Sequence, residues 1–222
     1  MTGLSEGSAF PRPTIVLLGD SNLLVRFGTR LTDAANRAAI ALARSLDHVP
    51  IAGVVEVVPQ LVSVQLRFDP LLPAAATIAG EVRLRLSMLD SIEPDAAGWT
   101  IPVRFDGPDI DAVAAMLGIS QADFIKAHNA NPLRVLATGF APGFVYCGLH
   151  PSGMVVPRRT SVRQSVPAGS LLFAAGQTAM AATDMPTGWH LIGHTDFRNF
   201  DPGAMPPTRL GAGDRIEFTV AT

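Results

Sequence analysis

The hydrophobic pattern divides the chain into a first part of helical and alternating segments and a second part of short apolar runs. Thr14 to Leu18 and Leu23 to Phe27 are β-prone runs around Gly19-Asp20-Ser21-Asn22, which predicts a hairpin. Ala35, Ala39, Leu42 and Leu46 then recur at helical spacing. Thr32 suits the N-cap of that helix and Asp33 its first turn. Val54 to Val58 and Leu61 to Phe68 predict two strands broken at Pro59-Gln60. In the second, Val62, Val64, Leu66 and Phe68 alternate with Ser63, Gln65 and Arg67, so one face is buried. Another helix follows Pro73, with Ile78, Val82, Leu86 and Leu89 along one side. This order predicts a small α+β domain over 14–93, behind a flexible start at 1–13.

Pro94, Asp95 and Gly98 mark a linker, and a second domain is expected over 99–222. Trp99 to Phe105 predicts a strand, and Asp109 to Leu117 a short helix stopped by Gly118. Ser120 begins the next helix, with Asp123 three residues on as a weak capping box. From Leu133 the helical spacing ends. Short apolar runs punctuated by Ala141-Pro142-Gly143, Pro167-Ala168-Gly169, Pro186-Thr187-Gly188 and Gly211-Ala212-Gly213 predict a small β-barrel or sandwich.

Composition narrows the function without naming it. With 48% hydrophobic and 16% charged residues in 222, the chain is globular and long enough to bury a real core. A net charge of -2 gives no overall attraction to nucleic acid or to an anionic membrane. Cys147 is the single cysteine, which excludes an internal disulfide and a cysteine-rich zinc site. Met1 to Ser8 have neither a basic n-region nor an apolar h-region, and the apolar run at Ile15 to Leu18 is too short to cross a bilayer. The expectation is a soluble, cytoplasmic protein.

There is no G-x-x-x-x-G-K-[ST] phosphate loop and no G-x-S-x-G elbow. His190 and His194 are four apart, but the run from Trp189 to Gly193 predicts a strand. That would put them roughly 13 Å apart, too far to share one ion, so no metal site is evident. The densest chemistry is the run Thr138 to Tyr146 followed by Pro157-Arg158-Arg159-Thr160. Gly139 and Gly143 permit unusual backbone angles and expose amides that can cradle an anion. Arg158 and Arg159 offer charge-assisted bonds to a carboxylate or phosphate. In a strand the two would face opposite ways, so at most one lines a given pocket. Further on, Gln177 and Thr178 can read an amide, Trp189 can wall a flat substrate, and His190 stands beside it. His128 at a helix end is a candidate general base. Each has a plain structural alternative: a solvated arginine pair, a packed tryptophan, a structural histidine.

Taken in order, the segments resemble a known family: the 5-oxoprolinase B subunit, allophanate hydrolase subunit 1 and KipI, of the carboxyltransferase subdomain C and D type. The resemblance rests on Gly139-Phe140-Ala141-Pro142-Gly143-Phe144, Val156-Pro157-Arg158-Arg159, Ser165-Val166-Pro167-Ala168-Gly169-Ser170, Ala175-Gly176-Gln177-Thr178 and Gly188-Trp189-His190-Leu191-Ile192-Gly193. Asn199-Phe200-Asp201-Pro202 and the ending from Gly211 to Phe218 continue it, and Glu56-Val57-Val58-Pro59 and Phe68-Asp69-Pro70 extend it into the first half. It implies an α+β N-terminal domain followed by a cyclophilin-like β-barrel. It implies a KipA-like partner, resembling the C subunit of 5-oxoprolinase, in a hetero-oligomer, with ATP used by the complex to open a cyclic amide or ureido substrate such as 5-oxo-L-proline. On that reading Arg158, Arg159, Gly143, Tyr146 and Trp189 bind substrate, and His190 and Gln177 are catalytic. The alternative within the family is a non-catalytic, KipI-like inhibitor of a histidine kinase. Departures from the usual pattern at Val145, Cys147, Ala181, Ala182, Thr187 and His194 flank the presumed pocket and bear on substrate choice.

Overall fold

The computed structural model describes residues 10–71, 75–89 and 96–221. Strands and helices are mixed, as expected of an α+β protein, and the chain forms two units, Met1–Asp95 and Ala96–Thr222. Much of the expected flexible start, and Pro94-Asp95 of the expected linker, lie outside the described residues. Gly98, expected in that linker, instead opens a strand.

In the first unit the hairpin is β1 (Thr14–Leu18) and β2 (Asn22–Arg26). Helix α1 (Asp33–His48) follows, with the Thr32 hydroxyl accepting from the Ala35 N–H at 3.2 Å. Strands β3 (Val54–Pro59) and β4 (Ser63–Phe68) and helix α2 (Ala75–Ser87) complete it. The four strands form an antiparallel sheet in the order β1-β2-β4-β3. The alternation read in β4 fixes which face is covered. Val64, Leu66 and Phe68 join Leu23 and Val25 in a core with Ala39, Leu42 and Leu46 of α1 and Ile78 and Val82 of α2.

The second unit begins with β5 (Gly98–Val103), then α3 (Ile110–Leu117) and α4 (Gln121–His128). Gly118 ends α3 in the left-handed region at φ 71°, and the Ser120 hydroxyl caps α4 through the Asp123 N–H at 3.1 Å. The remaining strands are β6 (Leu133–Thr138), β7 (Val145–Gly148), β8 (Arg163–Val166), β9 (Ser170–Ala174), β10 (Gln177–Met180), β11 (Met185–Thr187), β12 (His190–His194) and β13 (Arg215–Val220). Six of them and β5 make one sheet in the order β12-β9-β10-β7-β6-β13-β5, with β8 and β11 as a separate ribbon.

That sheet curls until its edges meet. Just beyond β5, the Arg104 N–H donates to the His194 carbonyl at 2.8 Å, and the His194 N–H returns a bond to Arg104 at 2.9 Å. The Gly107 and Asp109 N–H groups continue the seam onto the carbonyls of Ile192 and Leu191. These bonds cover the edge of β12. The backbones come so close that a Cβ on Gly193 would overlap the Arg104 carbonyl oxygen, and one on Gly107 would overlap Leu191. Inside lie Val103, Val135, Cys147, Phe173, Ile192 and Phe218, with Val113 and Phe124 of the helices against them. A second apolar cluster on the other face of the sheet holds Phe144, Leu172, Ala174, Ala179, Trp189 and Leu191.

The interior carries a polar arrangement centred on Thr178. The Thr178 hydroxyl sits 2.8 Å from Nε2 of His128 and 2.8 Å from Nε2 of His150. Burial pulls the His128 pKa down to about 4 despite its bond to Asn129, and burial with the neighbouring His128 pulls His150 down to about 3. Both rings are therefore neutral at pH 7.

Two outcomes follow for stability. Gly193→Ala is expected to cost about 1–3 kcal/mol through overpacking, a fall in Tm of roughly 2–4 °C per kcal/mol for a chain of this size. Gly98→Ala, where a Cβ meets nothing within 4 Å, leaves Tm within about 1 °C; equal Tm for the two variants would refute the seam argument. Both histidines have folded pKa values below their unfolded value of 6.5, so the unfolded chain binds more protons as pH drops. Stability contributed by the neutral rings is whole above pH 6.5 and declines from there through about 4 and 3. Urea midpoints at a series of pH values should show a shallower decline for His128→Gln than for the unaltered protein.

Candidate functional site

The loop Thr138 to Tyr146 is built around Gly143, which has φ 67°. A Cβ there would sit 2.6 Å from Cβ of Phe200 and 2.8 Å from that of Ala182, while its carbonyl accepts from Nδ2 of Asn199 at 2.7 Å. Glycine is required because the loop closes onto the 199–200 segment. The Phe144 N–H donates to Ala141 and the Gly139 N–H to Phe144, so these two amides are used within the turn. The loop leads into β7 and sets up a row of rings. Phe140 meets Phe144 with centroids 5.7 Å apart, Phe144 meets Tyr146 at 4.8 Å, and Tyr146 meets Trp189 at 6.0 Å, all edge to face.

Arg158 completes that row. Its guanidinium carbon lies 5.6 Å from the centre of the Trp189 ring, and among the described residues it has no carboxylate partner. Burial pushes the Tyr146 hydroxyl above its ordinary pKa, and the positive charge of Arg158 works against that rise. Arg159 goes the other way. Nη1 of Arg159 lies 2.6 Å from Oδ1 of Asp109, and its N–H donates to the Gly188 carbonyl at 2.8 Å. The two arginines diverge as the sequence suggested, although residues 155–162 form no strand.

Asp109 and Arg163 are the residues that sequence reasoning missed. Asp109 was legible only as the start of a helix, yet its carboxylate does not cap α3. It is buried and accepts from Arg159, from Nη2 of Arg163 at 2.9 Å and from the Leu191 N–H at 2.8 Å. Burial alone would raise its pKa. The Leu191 N–H and the Arg163 and Arg159 charges outweigh that and hold it below the usual carboxylate value. The useful signal was negative: an aspartate at an N-cap position whose oxygens are spent elsewhere can be found only from the tertiary contacts.

Gln177 and His190 do not come together. Gln177 pairs with Ala174 across β9 and β10, and Ala174 belongs to the cluster that holds Trp189, so Gln177 shares the face of Tyr146 and Trp189. His190 pairs with Phe173, whose ring is in the barrel interior. Nε2 of His190 donates to the Pro157 carbonyl at 2.9 Å, just ahead of Arg158. Oε1 of Gln177 and Nδ1 of His190 are both buried without a hydrogen-bond partner. His194, at the far end of β12, points to Asp106 at 2.8 Å, so the two histidines share no ion. Cys147 is fully buried, with its thiol pushed up to about 12, and is inert as a nucleophile. His128 belongs to the interior pair with His150. Among the described residues no group of three or more His, Cys, Asp or Glu side chains is arranged to hold a metal ion, and no helix is long and apolar enough to cross a membrane.

The face so assembled carries one unpaired guanidinium on an indole, a phenol and a buried amide oxygen. Comparison with known proteins agrees with the family resemblance read from the motifs. The family described as "Carboxyltransferase domain, subdomain C and D" matches residues 13–210. The B subunit of 5-oxoprolinase from Bacillus subtilis is 33% identical, over 93% of this chain and 92% of the relative. The crystal structure of TTHA0988 superposes with a TM-score of 0.80 at 32% identity, over 91% of this chain. The chain spans only 40% of the length of TTHA0988. The urea carboxylase of Kluyveromyces lactis shares the fold, with a TM-score of 0.76 over 96% of this chain at 17% identity. By its family match and by its identity to the Bacillus subtilis protein over nearly its whole length, the chain belongs to the carboxyltransferase subdomain C and D family.

Proposed function

We propose that this chain is the B subunit of an amide-bond hydrolase of the 5-oxoprolinase type. It works with a KipA-like partner, the C subunit, in the cytoplasm, and the complex consumes ATP. The substrate is a small cyclic amide or ureido compound carrying a carboxylate. For a cyclic amide, hydrolysis adds water across the ring C–N bond and leaves a second carboxylate and an amine.

The observation that carries this reading is the state of Arg158. A guanidinium with no carboxylate of its own, stacked on Trp189 beside Tyr146, suits the carboxylate of a flat substrate lying along the ring row. Gln177 lies on the same face with an unsatisfied amide oxygen, which suits the N–H of a ring amide. Arg159 is already committed to Asp109, and its role is to fix the segment that presents Arg158. His190 serves the same segment through the Pro157 carbonyl. Gly143 lets the aromatic loop close, which sets the position of Phe144 and Tyr146. A relative that carries this unit within a chain about two and a half times its length supports the need for a companion.

The test is co-expression with a KipA-like homologue of the C subunit, followed by ATP hydrolysis with and without 5-oxo-L-proline. Substrate-stimulated hydrolysis by a stable complex is the expected result. No complex, with tight binding to a histidine kinase instead, would replace this reading with the KipI-like inhibitor. Within an active complex, Arg158→Ala should raise KM about 10- to 100-fold, the loss of one charge-assisted contact, and leave Tm unchanged. Arg159→Ala should instead lower Tm, because it strips a partner from a buried carboxylate. The reverse pattern would exchange the roles of the two arginines.

A further inference from the structure

The hydrogen bonds around Thr178 can be assigned a direction. Nδ1 of His128 lies 2.7 Å from Oδ1 of Asn129, an acceptor, so the proton of the neutral His128 ring is on Nδ1. Nε2 of His128 is then a lone pair and accepts from the Thr178 hydroxyl at 2.8 Å. The Thr178 oxygen, having given its proton to His128, accepts from Nε2–H of His150 at 2.8 Å. His150 is neutral too, so its Nδ1 is left as a lone pair. One end of the relay is closed on Asn129. The other has no hydrogen-bond partner among the described residues.

His150 is also one of the residues lining a cleft of about 360 Å³, with His128, Asn131, Leu133, Leu149 and the prolines beside them. The volume is within the ~300–1,000 Å³ range of small-molecule sites. His150 is 8% exposed and lines this cleft. Phe105, Phe124, Phe173 and Phe218 surround His128, with ring centroids 5.5 to 6.2 Å away, and Phe173 also flanks His150. The lining contains no carboxylate, lysine or arginine. The relay ties α4, β10 and the residues after β7 together, and at its His150 end it leaves a fixed acceptor on a residue that lines an uncharged recess.

We infer that this cleft is a second small-molecule site, separate from the Arg158–Trp189 face, which takes an uncharged amide whose N–H donates to Nδ1 of His150. Asn131 at the rim offers the complementary donor for the amide carbonyl. A carboxylate is refused on two grounds. It has no proton to give the lone pair, and no cation lines the cleft to offset its desolvation. An ammonium or guanidinium has protons to give but meets no carboxylate in the lining to offset its desolvation.

The experiment uses the full chain with 15N-labelled histidine and long-range ¹H–¹⁵N correlation spectra at pH 7. The expected tautomers are opposite: Nδ1–H for His128 and Nε2–H for His150. Titration with acetamide should then shift the His150 Nδ1 resonance saturably. The midpoint should lie no lower than roughly 40 μM, the limit that about 1.5 kcal/mol per heavy atom sets for a ligand of four such atoms. Acetate, its isostere, should leave that resonance in place, and in uniformly 15N-labelled chain the Leu149 amide should respond saturably to acetamide, a response that His150→Phe abolishes. A His150 ring found as Nδ1–H would overturn the inference without any variant. So would an acetamide titration that moves nothing, or an acetate response equal to that of acetamide.

Discussion

The second unit depends on how its sheet closes. Residues 104–109 lie along β12, and the contact is between bare backbones, since Gly107 and Gly193 leave no room for a Cβ on either side. The seam ends in a side chain. Asp109 gives its N–H to the Leu191 carbonyl and takes the Leu191 N–H on its carboxylate, so it acts as the last rung of the ladder. Its remaining valences then bind Arg159 and Arg163. One buried charge thereby joins the closing edge of the barrel to the segment that carries Arg158. Removing a partner from such a group is costly, because the charge left behind is out of water.

This arrangement explains why two adjacent arginines, alike in sequence, have different chemistry. Arg159 is neutralised by a carboxylate that the fold needs elsewhere, whereas Arg158 lies over the face of an indole and has no carboxylate partner among the described residues. A guanidinium over an aromatic ring keeps its donors available to a ligand. The sequence showed the pair but could not rank them, since the deciding residue, Asp109, lies fifty positions away in the chain.

The elements were largely legible because local signals and tertiary demand agree. The Thr32 cap, the period-two run of β4 and the Gly118 stop each act within a few residues, and each appears where the pattern placed it. The site was legible in composition and not in arrangement. Tyr146, Trp189, Arg158 and Gln177 do share one face, but His190 belongs to the other, because a strand sends neighbours Trp189 and His190 to opposite sides. The interior relay was less visible still. His128, His150 and Thr178 are separated by more than twenty residues each, and no spacing rule connects a helix end, a loop and a strand.

The same alternation makes strand register decisive for both faces of β10. Gln177 faces the ring row and Thr178 the two histidines, so a slip of one residue would exchange them and ruin both arrangements. The hairpin before β10 prevents this. Its two central residues, Ala175 and Gly176, both have positive φ, at 51° and 71°, the geometry of a two-residue turn that fixes Ala174 opposite Gln177. An alanine in that region is strained by about 1–2 kcal/mol, so surrounding contacts must hold it. One contact is specific: the Ala175 N–H donates to the Val156 carbonyl at 2.8 Å, one residue before Pro157. The strand that supplies Gln177 and the segment that supplies Arg158 are therefore indexed to each other by a single backbone bond. A site formed this way is set by register and turn geometry before any side chain chooses a rotamer.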